Sequence, residues 1–264
     1  MTSGAPDAAA PTLSFVIPFW NEEAGADRCL REVREGADRA LASGRVAGVE
    51  IVAVDDGCTD ETPAILAAHA AADDRVRTIR HPVNRGLGGA LRTGLGAVTT
   101  DWAFYTDADL PVAPDVAFEA LDRALETGAD LVSCRRRGRL HDGARRSVIS
   151  AGYNAAVRLV VRLPLADVNA PAKLFRRSII ERSLPGSTSA FCDVEILARA
   201  IAGGAEVVQL DAASHPRLAG RSSLSSPRAI LATSVDLVRY GPGLRVRRGP
   251  AGDQRAASSA GSAG

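Results

Sequence analysis

Lysine is almost absent from this sequence. Lys173 is the only one, and the other 31 basic residues are arginine. A GC-rich coding composition accounts for that bias without a functional reason. Paired cysteines are missing too. Cys29, Cys58, Cys134 and Cys192 lie far apart with no CxxC, so they read as reduced, mostly buried residues of a cytosolic protein. Net charge is lacking: 32 basic residues against 31 acidic ones leave +1, which gives no general case for nucleic-acid binding. Long apolar runs are also missing. The longest uncharged stretch, residues 8–21, is interrupted by Pro11 and Pro18 and falls short of the roughly 20 residues that span a bilayer. Met1 is followed by Thr2, Ser3 and Gly4, without the basic start of a secretory signal. These absences predict a cytoplasmic chain with no membrane-spanning helix. His69, His81, His141 and His215 lack the spacing of a zinc site. No G-x-S-x-G elbow or Ser-His-Asp order is found.

What is present is ordinary globular material. Hydrophobic residues make up 46% of the 264 and charged residues 24%, enough to bury a substantial core. The compositional shifts place a tail at 1–11, a single folded domain at 12–240 and a Gly/Arg/Ser/Ala-rich tail at 241–264. Inside the domain, short apolar runs at 13–17, 49–54, 76–79, 102–106 and 130–134 read as strands. Periodic segments at 22–43, 59–72, 87–98 and 114–127 read as helices. That alternation predicts an α/β fold with a mostly parallel sheet covered on both faces. The second half is less regular. It reads as a polar, six-arginine loop over 135–146, an amphipathic helix over 145–163, a helix over 191–203, a strand over 206–210, a polar loop over 211–225 holding His215 and Arg217, and a last helix over 227–240.

In such sheets ligands bind beyond the carboxyl ends of the strands. Four successive strand ends carry polar groups: Asn21-Glu22, Asp55-Asp56, Asn84-Arg85 and Asp107 with Asp109. Carboxylates at i and i+2 after a strand reach one hard divalent cation if the backbone turns there, and Mg²⁺ or Mn²⁺ bridges diphosphate oxygens well. The competing account is that these aspartates cap the next helix. Asp55 and Asp56 close a buried strand, a costly arrangement unless donors such as a nucleobase or ribose meet them. Here too a turn with Thr59 or Asp60 as a helix cap competes. The run from Asn84 to Ala90 is glycine-rich before a helix. It serves either an anion at the helix N-terminus or close packing of helix on sheet. Arginines 135–137 and 139 are either a solvated run or bidentate phosphate ligands.

Taken in order, Ile17-Pro18-Phe19-Trp20-Asn21-Glu22-Glu23, Val54-Asp55-Asp56-Gly57-Cys58-Thr59-Asp60, Asn84-Arg85-Gly86-Leu87-Gly88-Gly89-Ala90 and Asp107-Ala108-Asp109-Leu110 resemble a family 2 glycosyltransferase. The subgroup most resembled is the dolichyl- or polyprenyl-phosphate mannose and glucose synthases. The resemblance continues through Asp167-Val168-Asn169, Lys173-Leu174-Phe175-Arg176-Arg177, Asp193-Val194-Glu195-Ile196-Leu197 and Arg217-Leu218-Ala219-Gly220-Arg221-Ser222. It implies a GT-A, Rossmann-like fold in which 12–110 is the nucleotide-binding half and 111–240 the acceptor half with a C-terminal helix. It also implies a nucleotide-diphospho-sugar donor of the GDP-mannose or UDP-glucose type, a Mg²⁺ or Mn²⁺ ion, and a polyprenyl-phosphate acceptor. By position, Pro18, Trp20, Glu22 and Asp55 line the nucleoside pocket. Asp56, Asn84 and Gly86 belong with the nucleotide site. Asp107, Ala108 and Asp109 meet the sugar diphosphate, with Asp107 and Asp109 as metal ligands. Arg136 and Arg217 contact phosphates.

Three departures from the subgroup pattern bear on the acceptor. Pro111 stands where the closest synthases have a metal-binding Gln, Ser223 where a lysine is usual, and Asn169-Ala170-Pro171-Ala172 where a small/Cys-Gly-Phe stretch is usual. A phosphate acceptor needs little general base, whereas a hydroxyl acceptor needs a carboxylate, with Asp193 or Asp167 as candidates. Two other readings stay open: a transferase for soluble hydroxyl acceptors, and a catalytically inactive binding subunit. A sugar nucleotidyltransferase is disfavoured because Pro18-Phe19-Trp20-Asn21-Glu22 has no Gly-rich basic loop. Finally, Ile230, Leu231, Val235 and Val238 fall at helical steps on one apolar side that Leu237 broadens. Arg228, Arg239, Arg245, Arg247 and Arg248 lie around them. That pattern predicts peripheral contact with the inner face of a membrane, or with a membrane partner protein; the competing account is a helix packed on the sheet with its arginines solvated.

Overall fold

The structure, a computed structural model, describes residues 9–137, 152, 153, 155–163, 165, 168, 170, 172–213, 227–244 and 246. Strands β1 (Thr12–Phe19), β2 (Gly48–Asp55), β3 (Val76–Arg80) and β4 (Trp102–Thr106) alternate with helices α1 (Ala26–Ala42), α2 (Thr62–Ala72) and α3 (Gly86–Gly96). Helix α4 (Val116–Thr127) leads to β5 (Leu131–Arg137). Then come β6 (Ala172–Arg176), α5 (Arg177–Ser183), α6 (Cys192–Ala202), β7 (Val207–Ala213), α7 (Pro227–Tyr240) and a 3₁₀ turn at Gly241–Leu244.

These strands form one seven-stranded sheet in the order β3-β2-β1-β4-β6-β5-β7. All pairings are parallel except those of β6, which runs antiparallel to both β4 and β5. The expected mostly parallel sheet is therefore present, with one reversed strand that the apolar pattern did not announce. Apolar residues cover both faces, as a buried parallel sheet requires. Alternation along β1 sends Leu13, Phe15, Ile17 and Phe19 to the layer made by α1, α2 and α4, and Val16 to the layer made by α3, α5 and α6. Phe15 meets Phe104 and Phe118 edge-on at centroid distances of 5.7 and 5.9 Å.

Several boundaries move. Helix α1 begins at Ala26, four residues later than expected, because Glu22 O accepts from Gly25 N and Ala26 N in a turn that precedes it. Helix α2 begins at Thr62, where Asp60 Oδ1 accepts the Thr62 N–H at 3.0 Å. Glu61 is the N-cap residue, and of the two expected caps Asp60 meets the first helical amide from just ahead of it while Thr59 does not. Arginines 135–137 are not loop but the end of β5, paired in register with Asp211, Ala212 and Ala213 of β7. The Arg135–Asp211 ion pair at 2.5 Å fastens that extension. The rest of the expected 135–146 loop lies outside the described residues. Residues 155–160 are helical, as part of the 145–163 expectation required. The chain also stays packed beyond 240: Gly241 is buried, and Val246 N donates to Val161 O at 3.0 Å.

Candidate active site

The parallel strands β1, β2 and β4 end together, with Phe19 in register with Asp55 and Val16 with Tyr105. Their exits bring the β1–α1, β2–α2 and β4–α4 turns to one edge. The turns are cross-braced by the same polar residues that the sequence singled out. Asn21, with φ of 53°, accepts the Thr59 N–H on Oδ1 at 2.9 Å and donates its own N–H to Cys58 Sγ at 3.2 Å. Glu22 N–H donates to Thr62 Oγ1 and Glu23 N–H to Asp60 Oδ2. Trp20 remains 46% exposed at the end of β1, an aromatic face free to pack on a flat ligand. Pro18, the residue before Phe19, is half-buried on the same strand.

The two carboxylates that end β2 divide their roles. Asp55 Oδ1 accepts the Cys58 N–H at 2.8 Å. Its Oδ2 is shielded from solvent with Arg80 Nε 3.1 Å away but receives no aligned hydrogen bond. A buried carboxylate oxygen in that state is rare and calls for a donor. Asp56 has its needs met internally: Oδ1 accepts from His81 Nδ1 at 2.6 Å and from Arg85 N at 2.8 Å. His81, buried with its Nε2 2.9 Å from Thr93 Oγ1, extends this link to α3. Asp56 therefore shapes the β3–α3 turn.

The glycine-rich turn packs against backbone. A Cβ on Gly86 (φ 74°) would lie 2.4 Å from Thr188 O, and one on Gly88 would lie 2.0 Å from Ser187 O. The Gly88 N–H donates to Thr188 O at 3.2 Å, and the Gly86 N–H to Asn84 Oδ1 at 3.0 Å. Gly94 sits on Val16 and Val54 of the sheet. Close packing is thus what these glycines serve in the structure. An open cleft of about 460 Å³ remains beside them, lined by Asn84, Arg85, Gly86, Gly89, Arg92 and Thr188.

Asp107-Ala108-Asp109 follows β4 in a tight turn. Leu110 N donates to Asp107 O at 3.1 Å, and Leu110 holds φ of 44°, unusual for a bulky residue. Such strain persists where surrounding structure imposes it. Asp107 Oδ1 accepts the Tyr105 hydroxyl at 2.7 Å. Burial, reinforced by the neighbouring charge of Asp109, pushes the Asp107 carboxyl up to about 7. A pair of like charges held this way gains from a cation. Among the described residues no third His, Cys, Asp or Glu joins them. Two carboxylates that leave positions open to phosphate oxygens suit Mg²⁺ or Mn²⁺. The residues present therefore fit such an ion. Pro111 is buried and offers it no ligand.

The other predicted residues fall variously. Asp193, in the first turn of α6, is 6% exposed and accepts the Lys173 ammonium on Oδ1 at 2.6 Å. Arg136 lies on β5, and its side chain is outside the described residues, as are Arg217, Asp167 and Asn169. Glu195, quoted in a motif of the sequence, has no role assigned there. Buried at 1% exposure, it accepts the Ser187 N–H and pairs with Arg199, so it fastens the loop against which Gly88 packs. Arg92 grips the same loop through Pro185 O and Gly186 O. Lys173, also quoted in a motif, has no role assigned there, and Tyr105 is not among the predicted site residues.

The profile described as glycosyl transferase family 2 matches residues 14–184. Glycosyltransferase AglD of Haloferax volcanii is 31% identical over 248 residues, which is 92% of this chain and 39% of that protein. Undecaprenyl-phosphate 4-deoxy-4-formamido-L-arabinose transferase of Pseudomonas paraeruginosa is 34% identical over 86% of this chain and 64% of its own length. This chain thus spans under two thirds of either relative. Glucosyl-3-phosphoglycerate synthase of Mycobacterium tuberculosis superposes with a TM-score of 0.67 at 22% identity, over 88% of this chain and 81% of that one. The same enzyme has been solved with Mn²⁺, UDP and glucosyl-3-phosphoglycerate (TM-score 0.63, 20% identity, 91% and 86% covered). The sheet order, the strand-end carboxylates and these matches agree on a GT-A fold, and the chain belongs to glycosyl transferase family 2.

Proposed function

We propose that the chain transfers a hexose from a nucleoside-diphosphate sugar of the GDP-mannose or UDP-glucose type to a polyprenyl phosphate. The observation that carries this reading is the Asp107–Asp109 pair, which gathers like charge at the strand edge. It is supported by the UDP and Mn²⁺ or Mg²⁺ bound to structural neighbours and by the undecaprenyl-phosphate relative. Asp55 Oδ2 takes a donor hydrogen from the nucleoside, with Trp20, Pro18 and Glu22 bordering that pocket. Asp107 and Asp109 hold the divalent cation, which neutralises charge developing on the leaving diphosphate. Asp193 spends an oxygen on Lys173, so it is poorly placed to take a proton. A phosphate acceptor, already nucleophilic, does not ask for one.

A lipid-phosphate acceptor requires access to a bilayer, and we place the protein at the inner face of a membrane. Among the described residues no helix is long and apolar enough to cross one. Helix α7 instead carries two apolar faces. Leu237 is buried against the core, a correction to the single face expected, whereas Leu231, Val235 and Val238 are 53–75% exposed. Ile230's side chain lies outside the described residues. Arg239, Arg158 and Arg162 are exposed. The one acid of the segment 231–240, Asp236, turns inward to Ser189 Oγ at 2.6 Å. An exposed apolar face on α7 with an exposed arginine in its last turn, and with the acid of the segment 231–240 turned inward, suits anionic lipid.

The test is transfer of labelled sugar from GDP-mannose and UDP-glucose, with Mn²⁺, to undecaprenyl phosphate in vesicles. Label in the lipid fraction supports the reading. Label found only in water-soluble product overturns the acceptor, and no turnover with any nucleotide sugar that raises Tm points to a binding subunit. Failure to sediment with anionic vesicles at low salt overturns the membrane surface.

A further inference from the structure

We propose that Lys173 is a positioning residue for the cation-binding pair, acting on Asp107 through Tyr105. The proposal rests on the reading that Asp107 and Asp109 hold a divalent ion. Lys173 is the second residue of β6, in register with Tyr105 of β4 on one side and Ser133 of β5 on the other. Residues level across neighbouring strands project to the same face of a sheet, so the three side chains stand together under the catalytic edge. Lys173 is fully buried. Its Nζ donates to Ala170 O and to Asp193 Oδ1, both at 2.6 Å, and sits 5.6 Å from the centroid of the Tyr105 ring. Tyr105, 1% exposed, donates its hydroxyl to Asp107 Oδ1. An unbroken chain thus runs from Asp193 on α6 through Lys173 and Tyr105 to the first aspartate of the motif.

Two physical arguments give this chain a purpose. A buried ammonium is costly unless well partnered, so an apolar side chain would fill this place in a core strand more cheaply. And the sequence chooses arginine at 31 of 32 basic positions, yet not here. Guanidinium presents five N–H donors in a rigid fork. The ammonium is compact and points its donors at one carbonyl and one carboxylate while its charge faces an aromatic ring. The site therefore asks for a small, directional cation. Held from below, the Tyr105 ring cannot swing, and Asp107 keeps the orientation that the ion and diphosphate need.

Mn²⁺ titrated calorimetrically in the presence of UDP or GDP, whichever raises Tm, tests this with folded protein. Removing one member of a buried pair is strongly destabilising, whereas replacing both with apolar residues is often tolerated. The first variant is therefore Lys173→Met with Asp193→Leu, checked by circular dichroism and Tm. The expected result is a folded protein whose Mn²⁺ affinity is about tenfold weaker. Tyr105→Phe, which keeps the ring and loses only the hydroxyl, is expected to weaken Mn²⁺ to a similar extent. Combining all three changes should cost no more than either alone, because both act through Asp107. Wild-type Mn²⁺ affinity in Tyr105→Phe, or losses that add in the combined variant, overturns the proposal even if the double variant fails to fold. Undiminished Mn²⁺ binding by Asp109→Asn overturns the cation reading itself.

Discussion

The half built on β1–β4 and the half built on β5–β7 solve the same problem by different means. In the first, every strand runs the same way and ends at the same edge, so position along a strand predicts position in the site. Its polar residues brace one another through short links between adjacent turns, as Asn21 does with Thr59 and Asp56 with His81 and Arg85. In the second, β6 enters against the grain, and charged side chains take their partners inside the core rather than at a strand edge. Lys173–Asp193 and Glu195–Ser187 are of that kind. The contrast separates what contacts ligand from what holds the contacting groups still. In the function proposed above strand ends do the first, and in the proposed role of Lys173 the reversed strand with α6 does the second.

The largest expected effect falls on the contact side. Asp109→Asn removes charge without changing size and should lower Mn²⁺-dependent turnover by about a thousandfold, roughly 4 kcal/mol, with Tm unchanged. Activity retained at the wild-type metal optimum would break the division between the halves at its clearest point. Next comes the seam. Gly88→Ala must push a methyl into Ser187 O, which lies 2.0 Å from the Cβ position. About 3 kcal/mol of stability should be lost, read as a lower midpoint in urea. A neutral outcome would mean that the two halves are not interlocked there.

Asp55→Ala should weaken binding of the free nucleoside diphosphate by about 2 kcal/mol while leaving Mn²⁺ binding nearly intact, as calorimetry with each would show. Equal losses would place Asp55 with the metal pair. The smallest effect is a control far from the site. Hydrogen bonds from Arg75 and Arg34 hold the Asp73 carboxyl well below its ordinary value of 3.8. A depressed carboxyl contributes stability that is present above the unfolded-state value and lost as pH falls through the acid range. Asp73→Asn should therefore cost about 1 kcal/mol near pH 7 and less than half of that near pH 2. Urea midpoints at the two pH values would measure it, and an equal loss at both would remove the electrostatic account.

The sequence disclosed these two halves unequally. β1 to β4 were legible because each is a short apolar run closed by polar residues, and buried parallel strands look like that. The carboxylates of the first half were legible because they follow those runs directly. β6 was hidden because Ala172–Arg176 is short and carries a lysine at its second position, which no hydropathy pattern assigns to a core. Glu195 was hidden for a related reason: a charge in a helix reads as a solvent-facing one, and only the Ser187 amide and Arg199 explain its burial. The glycines of the α3 turn were seen but suited two explanations, and which one holds depends on a loop a hundred residues away. The arginines at 135–137 read as loop because charge density masked a strand that pairs with β7.

The burial of the chain's one lysine makes a protease into a clock. An endoprotease specific for lysine has a single bond to cut in the whole chain, and it lies within β6, a strand paired on both sides with β4 and β5. That bond becomes cleavable only when the centre of the sheet comes apart, so terminal fraying and loop opening leave the protein intact. Cleavage under native conditions thus reports the free energy of opening the middle of the fold, with no engineered label and no background from the surface.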